Sequence, residues 1–278
     1  MDFGLTMFPA DDAIGVVELG RAAEDQGFES LWFPEHTHMP AGKDQRADGS
    51  PLPREYSRTL DPFVALGAVA AATSRLKLGT GICLLIQRDT LVTAKEVSSL
   101  DLISGGRFLF GIGGGWHRQE IADHGVDYHT RWRLLREQVD AMKRIWAEDE
   151  AEFHGKLVDF PPVWSWPKPV QKPHPPILLG GDVPGARARV IEYADGWIPH
   201  PFADGDAAGM IERFNAECRA AGRDPIPVTI YGGGTDPRVI EAYRAAGAVR
   251  WVFRVPPRAA DVVLPFVEQC ASVVRQVG

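Results

Sequence analysis

The chain has 278 residues, a formal charge of −7 and 45% hydrophobic residues. That length gives room for a large core in one domain, 1–278, and the mild acidity without any Lys/Arg-rich run argues against a nucleic-acid partner. Cys83, Cys218 and Cys270 form no C-x-x-C pair, no signal-type stretch opens the sequence, and no apolar run reaches the roughly 18 residues of a membrane span, so a cytoplasmic protein is expected.

Strand-like and helix-like segments alternate along the chain. Phe3–Phe8 reads as a strand. Asp11–Gln26 reads as a helix, with Asp11 or Asp12 as N-cap and Gly27 past its end. Ser30–Phe33 is an apolar strand that stops at Pro34, and Glu35 and His36 follow at once. The segment Thr37–Arg58 is polar and Gly/Pro-rich. Asp61-Pro62 opens an Ala-rich helix to Thr73. Leu76–Ile82 is the third strand, Thr90–Ile103 a helix ending at Gly105-Gly106, Arg107–Ile112 the fourth strand and Thr130–Trp146 a long helix. A Pro- and Trp-rich stretch, Asp149–Pro175, then breaks the rhythm. Strands at Pro176–Leu179, Gly196–Ile198, Val228–Tyr231 and Val249–Val255 alternate with helices at Gly185–Tyr193, Asp206–Ala221, Pro237–Ala246 and Asp261–Arg275.

The strands are short and apolar without alternation, as strands buried on both faces are. Eight such units in a chain of this length predict a (β/α)8 TIM barrel with insertion loops, and a doubly wound sheet is the competing architecture. Long loops in compact domains are lids or disordered segments. Thr37–Arg58 follows the C-terminal end of a strand, the catalytic face of a barrel, and reads as a lid.

Glu35 and His36 read either as ordinary loop residues or as chemistry at a strand end, where α/β enzymes keep it. Gly111-Ile-Gly-Gly-Gly115-Trp116 ends the fourth strand. It is neither G-x-G-x-x-G nor a P-loop, and it reads as a flexible turn or as room for a flat ring or phosphate. Gly81, at the end of the third strand, suggests a bulge or a close backbone approach. Gly180-Gly181-Asp182 precedes a helix and suits an anion, with Asp182 arguing mildly against one unless it points away. Tyr231-Gly-Gly-Gly234-Thr235 is the rival phosphate site. His117, His124 and His129 lack metal-ligand spacing, so no metal is expected. No Ser occupies a nucleophile elbow.

The pieces Leu31-Trp32-Phe33-Pro34-Glu35-His36, Leu78–Ile82, Gly105–Gly113, Gly115-Trp116, Pro175–Gly181 and Ala194–Trp197, in this order, resemble the luciferase-like monooxygenase superfamily. Within it the chain most resembles the deazaflavin (coenzyme F420)-dependent oxidoreductases. The resemblance implies a luciferase-like barrel with the cofactor ring at its C-terminal mouth. It implies a carboxylate–His pair, Glu35-His36, facing the ring, and a non-prolyl cis peptide at Gly81–Ile82 backing it. Gly114, Gly115 and Gln119 would contact ring or ribityl, and Gly180, Gly181 and Asp182 would form the phosphate loop. Trp116 stands where sugar-phosphate dehydrogenases of the family carry Glu, which argues against a sugar phosphate.

The implied function is hydride transfer between F420 and a small organic substrate, with His36 exchanging the accompanying proton and Glu35 orienting or tuning it. The alternatives are an FMN-dependent monooxygenase using oxygen and a barrel that binds flavin without catalysis. A homodimer is expected through the helix Asp61–Thr73, apolar nearly all round, with Thr90–Ile103 completing the surface.

Overall fold

The computed structural model describes residues 1–42, 50–182, 184–201 and 206–278. The first half runs β1 (Asp2–Thr6), α1 (Val16–Asp25), β2 (Ser30–Phe33), α2 (Pro62–Ala72), β3 (Lys77–Thr80), α3 (Thr90–Ser104), β4 (Phe108–Ile112), α4 (Arg118–Asp123) and α5 (Arg131–Ala147). The second half runs β5 (Ala151–His154), β6 (Asp159–Val163), β7 (Ile177–Gly180), α6 (Pro184–Tyr193), β8 (Gly196–Ile198), α7 (Ala207–Ala220), β9 (Thr229–Gly233), α8 (Pro237–Ala245), β10 (Arg250–Arg254) and α9 (Ala260–Val277).

Eight strands form one parallel sheet in the order β8-β7-β4-β3-β2-β1-β10-β9. The two ends meet through a parallel Trp197–Val228 bridge and a 2.8 Å bond from Tyr231 N to Pro199 O, which closes the expected barrel. Its interior is filled by Trp32, Leu109, Leu178, Ile198, Tyr231 and Val252, all buried. The indole of Trp32 fits because Gly79 opposite it has no side chain: a Cβ there would lie 2.1 Å from the ring. A larger apolar layer fills the space between strands and helices.

Local chemistry fixes the helix ends. Asp61 accepts from Phe63 N and Val64 N at 2.9 and 3.0 Å and starts α2, with Pro62 at the first turn. Gly105, at φ +67°, ends α3. Arg107 follows and donates to Leu76 O at 2.6 Å, Ser104 O at 2.7 Å, Ala70 O at 2.9 Å and Thr73 O at 3.0 Å. It thereby satisfies carbonyls left over at the ends of α2 and α3.

Three expectations need correction. The first helix starts at Val16, and Asp11 and Asp12 do not cap it; they pair with Arg58 and Arg54 of the segment returning after β2. Asp149–Pro175 carries a hairpin, β5–β6, whose antiparallel strands lie outside the barrel and pack on α5. Its two prolines are tolerated because a hairpin edge need not donate every N–H. A short extra helix, α4, follows the fourth-strand glycines, and it matters for the site.

Candidate active site

The abrupt end of β2 sends its two ionisable residues to opposite sides. Glu35 is buried and accepts from Leu84 N at 2.7 Å and from Arg88 Nε at 2.7 Å. Arg88 also reaches Glu96 at 3.0 Å and pairs with Asp61. Glu35 therefore does not orient His36. It clamps the chain just past β3, where burial is tolerable because the carboxylate is paired and hydrogen-bonded.

The carboxylate beside His36 comes from α4. His36 Nδ1 lies 2.9 Å from Glu120 Oε2 and 3.1 Å from Oε1, and Glu120 also accepts from Thr37 N at 3.3 Å. Both side chains are buried, and His36 Nε2 makes no hydrogen bond to a described residue. With Glu120 as acceptor, Nδ1 donates and Nε2 is the free nitrogen of the ring. His117 starts α4, its Nδ1 accepting from Glu120 N at 3.2 Å, so the glycine turn delivers Glu120 to His36. Aromatic rings enclose the imidazole: Tyr56 stacks at 4.7 Å, Phe8 lies nearly parallel at 6.3 Å, and Trp116 meets it edge-on at 6.1 Å.

The Gly81–Ile82 peptide bond is cis, as the resemblance implied. Gly81 N donates to Phe33 O at 2.9 Å, and Cys83 N to Gly111 O at 2.8 Å, so the bulge is held between the ends of β2 and β4. From inside the barrel the Tyr231 hydroxyl donates to Gly81 O at 2.5 Å and meets Thr6 Oγ1 at 2.5 Å. Burial raises the Tyr231 phenol above its ordinary value, so it stays a donor. The Ile82 side chain is half-buried, and it rests over Gly113 and Gly180, where a Cβ would come within 2.8 and 3.1 Å of it.

The glycines differ in what they make room for. A Cβ at Gly114 would lie 2.8 Å from the Trp132 ring, so its bareness serves Trp132 first. Gly115 turns the chain at φ +63°. Gln119 lies on α4 and donates to Asp123 Oδ1 at 2.7 Å. Gly181 has φ +127°, which favours glycine, and its carbonyl accepts from Trp197 Nε1 at 2.8 Å. Asp182 accepts from His200 N at 3.0 Å, and burial raises its carboxyl. The rival turn, Gly232–Gly234, lines a cavity of about 480 Å³ with His200, Pro201 and Arg254.

The histidines do not cluster as ligands. His124 bonds Thr37 Oγ1 at 2.7 Å, and among the described residues no three His, Cys, Asp or Glu gather as a metal site. Of the segment read as a lid, residues 43–49 lie outside the described residues; its ends are tied down by Thr37 at Glu120 and by Tyr56 on His36. Sequence reasoning missed Glu120, Tyr56 and Arg88. Glu120 stands 84 residues from its partner, and no local pattern announces it.

A sequence model of the luciferase-like monooxygenase family matches residues 6–235. An uncharacterized protein of Mycobacterium tuberculosis (strain ATCC 25618 / H37Rv) is 37% identical over 278 residues, 98% of each chain. The 5,10-methylenetetrahydromethanopterin reductase of Methanolobus tindarius is 24% identical over 83% of this chain and 63% of its own. The oxygenase component of a flavin-dependent trigonelline monooxygenase from Acinetobacter baylyi is 26% identical over 73% of this chain and 53% of its own. Among solved structures, monooxygenase RslO1 from Streptomyces bottropensis superposes with a TM-score of 0.79, 20% identity and 99% coverage of both chains. The coenzyme F420-dependent tetrahydromethanopterin reductase of Methanopyrus kandleri gives 0.78, 19% identity, and 100% and 99% coverage.

Proposed function

The chain belongs to the luciferase-like monooxygenase family, and we propose that it is an F420-dependent oxidoreductase moving a hydride to or from a small organic substrate. The family's oxidoreductases include F420-dependent and flavin-dependent members, and both kinds stand among the relatives of this chain. The observation that carries the deazaflavin reading is His36, fixed by Glu120 at Nδ1 with Nε2 free. Hydride transfer to or from a carbonyl carbon needs one proton exchanged at oxygen, and such a nitrogen is suited to it.

The residues present fit a flat tricyclic ring. Ile82 offers a half-exposed apolar shelf over two glycines, backed by the cis bond that Tyr231 holds from below. Gly81, Ile82, Gly114, Gly115 and Gln119 would hold the ring and ribityl chain, and Gly180, Gly181 and Asp182 the phosphate. When bound, a deazaflavin supplies the hydride chemistry that no side chain can. The protein's own part is positional and acid–base. His36 holds or delivers the proton at Nε2, and Glu120 keeps the imidazole turned and stabilises its charged form. Glu35 acts at a distance by fixing Leu84 and Arg88, which follow the Gly81–Ile82 bond in the chain. Phe8, Tyr56 and Trp116 keep water from the imidazole.

Fluorescence-quench titration of the purified protein with F420 and with FMN tests the reading. Binding of F420 without FMN is expected. Binding of FMN alone would replace it with the oxygen-using monooxygenase reading.

A further inference from the structure

The eight strand ends circle the mouth, and the proposed cofactor contacts occupy one arc of it, the ends of β3, β4 and β7. The cavity of about 480 Å³ occupies another, at the ends of β8, β9 and β10. Its wall carries one fixed positive charge. Arg254 ends β10 with its guanidinium against Gly232, 3.0 Å from where a Cβ would stand. It ion-pairs with no carboxylate among the described residues. Of the carboxylates near the cavity, Asp182 accepts the His200 amide, Asp206 accepts from Gly209 N at 2.9 Å and pairs with Arg213 at 3.2 Å, and Asp236 pairs with Arg238 at 2.9 Å, while Asp204 lies outside the described residues. His200 turns Nδ1 to Tyr231 O at 3.0 Å, and its other nitrogen has no hydrogen-bond partner among the described residues.

A guanidinium whose donors meet no acceptor among the described residues, beside bare glycine backbone, suits a planar or tetrahedral anion. Barrels commonly place anion sites at the loops after their last two strands, here β9 and β10. Register puts Arg254 level with Thr6, and Thr6 level with Trp32 on β2. Two strand spacings, about 10 Å, therefore separate the Arg254 strand from the strand that delivers His36. A small molecule can span that distance.

We propose that this cavity seats a carboxylate or phosphate group of the organic substrate, with Arg254 as the residue that selects it. The proposal rests on the oxidoreductase reading above and assigns its substrate class: an anionic molecule whose reacting carbon lies within reach of His36. His36 and Arg254 then fix the two ends of the substrate, and a neutral analogue loses one of them.

The test uses the full chain, cofactor-free and loaded with F420 or FMN, and reads binding of inorganic phosphate and benzoate by calorimetry. Saturable binding is expected in the wild type. Arg254→Gln should weaken it roughly tenfold or more, the scale of a lost charged hydrogen bond. Gly234→Glu should do the same by repulsion, since a Cβ there meets nothing within 4 Å. Both variants should keep the wild-type affinity for F420 and FMN. Equal anion binding by wild type and Arg254→Gln, or no binding by either, overturns the proposal. So does a loss in Arg254→Gln of the preference for FMN over riboflavin, or for F420 over its phosphate-free core, because the cavity would then hold the cofactor's phosphate. A wild type that binds neither cofactor removes the oxidoreductase reading, while anion binding by the cofactor-free protein still decides this one.

Discussion

His36 and Glu35 are neighbours in sequence with separate tasks in space. His36→Ala should lower turnover by roughly a hundredfold or more while cofactor affinity stays within a small factor. Unchanged turnover on a competent substrate would return His36 to an ordinary loop residue. Glu120→Gln keeps the shape of the side chain and weakens its hold on Nδ1; kcat should drop at least about tenfold with little change in cofactor binding. Both readouts are steady-state kinetics beside a quench titration. Only half of this pair was legible in the sequence. A histidine just past an apolar strand is a local signal, but its carboxylate partner arrives from α4, through a turn no periodicity describes. Glu35 misled because adjacency suggested contact, whereas a strand end sends successive side chains to opposite sides. A third carboxylate, Glu29, sets a pH limit. Burial alone would raise its pKa, but Arg250 at 2.7 Å and Lys77 at 2.9 Å outweigh burial and hold it at about 2. A depressed carboxyl contributes its stability, here about 3 kcal/mol, above its ordinary range and loses it as pH falls from about 4.5 toward 2. Denaturant titrations at pH 6 and pH 3 should show a smaller acid loss in Glu29→Gln than in the wild type.

At the scale of elements, most strands and helices were legible because caps and apolar runs are local. Asp61 before Pro62 and Gly105 after α3 carry the signals that hydrogen bonding then uses. The start of α1 was not legible: Asp11 looks like a cap, and only the return of Arg58 from 47 residues on shows that it is taken. Arg107 shows the same limit, since a strand's first residue gives no hint that it closes two helices. Arg107→Ala should cost about 2 kcal/mol or more, because four carbonyls lose a charged donor, and thermal denaturation followed by circular dichroism should register the drop. Gly114→Val will also report on packing, as its branches meet Trp132.

For the molecule as a whole, the eightfold alternation was enough to predict a barrel, since short strands buried on both faces have few other ways to pack. The surface it leaves carries exposed apolar side chains. Val64 on α2 is 73% exposed, and Val92, Leu102 and Ile103 on α3 are 56, 51 and 62% exposed. Helices that need one apolar stripe toward the strands carry a second one outward, and a homodimer through this face is expected. Light scattering on a size-exclusion column at micromolar concentration should give twice the mass of 30.5 kDa; a single-chain mass would leave these side chains unexplained. The closure of the barrel has a consequence in time. Along most of the sheet, neighbouring strands share two to five paired residues, but at the β8–β9 seam one paired residue, the Trp197–Val228 bridge, stands beside the bonds from Trp197 N to Pro227 O at 2.9 Å and from Tyr231 N to Pro199 O at 2.8 Å. That seam has the fewest paired residues of the ring. Amides of β8 and β9 should therefore exchange with deuterium sooner than those of β2 and β3, so that the wall bearing His200 and the Gly232–Gly234 turn breathes while the wall bearing His36 stays shut.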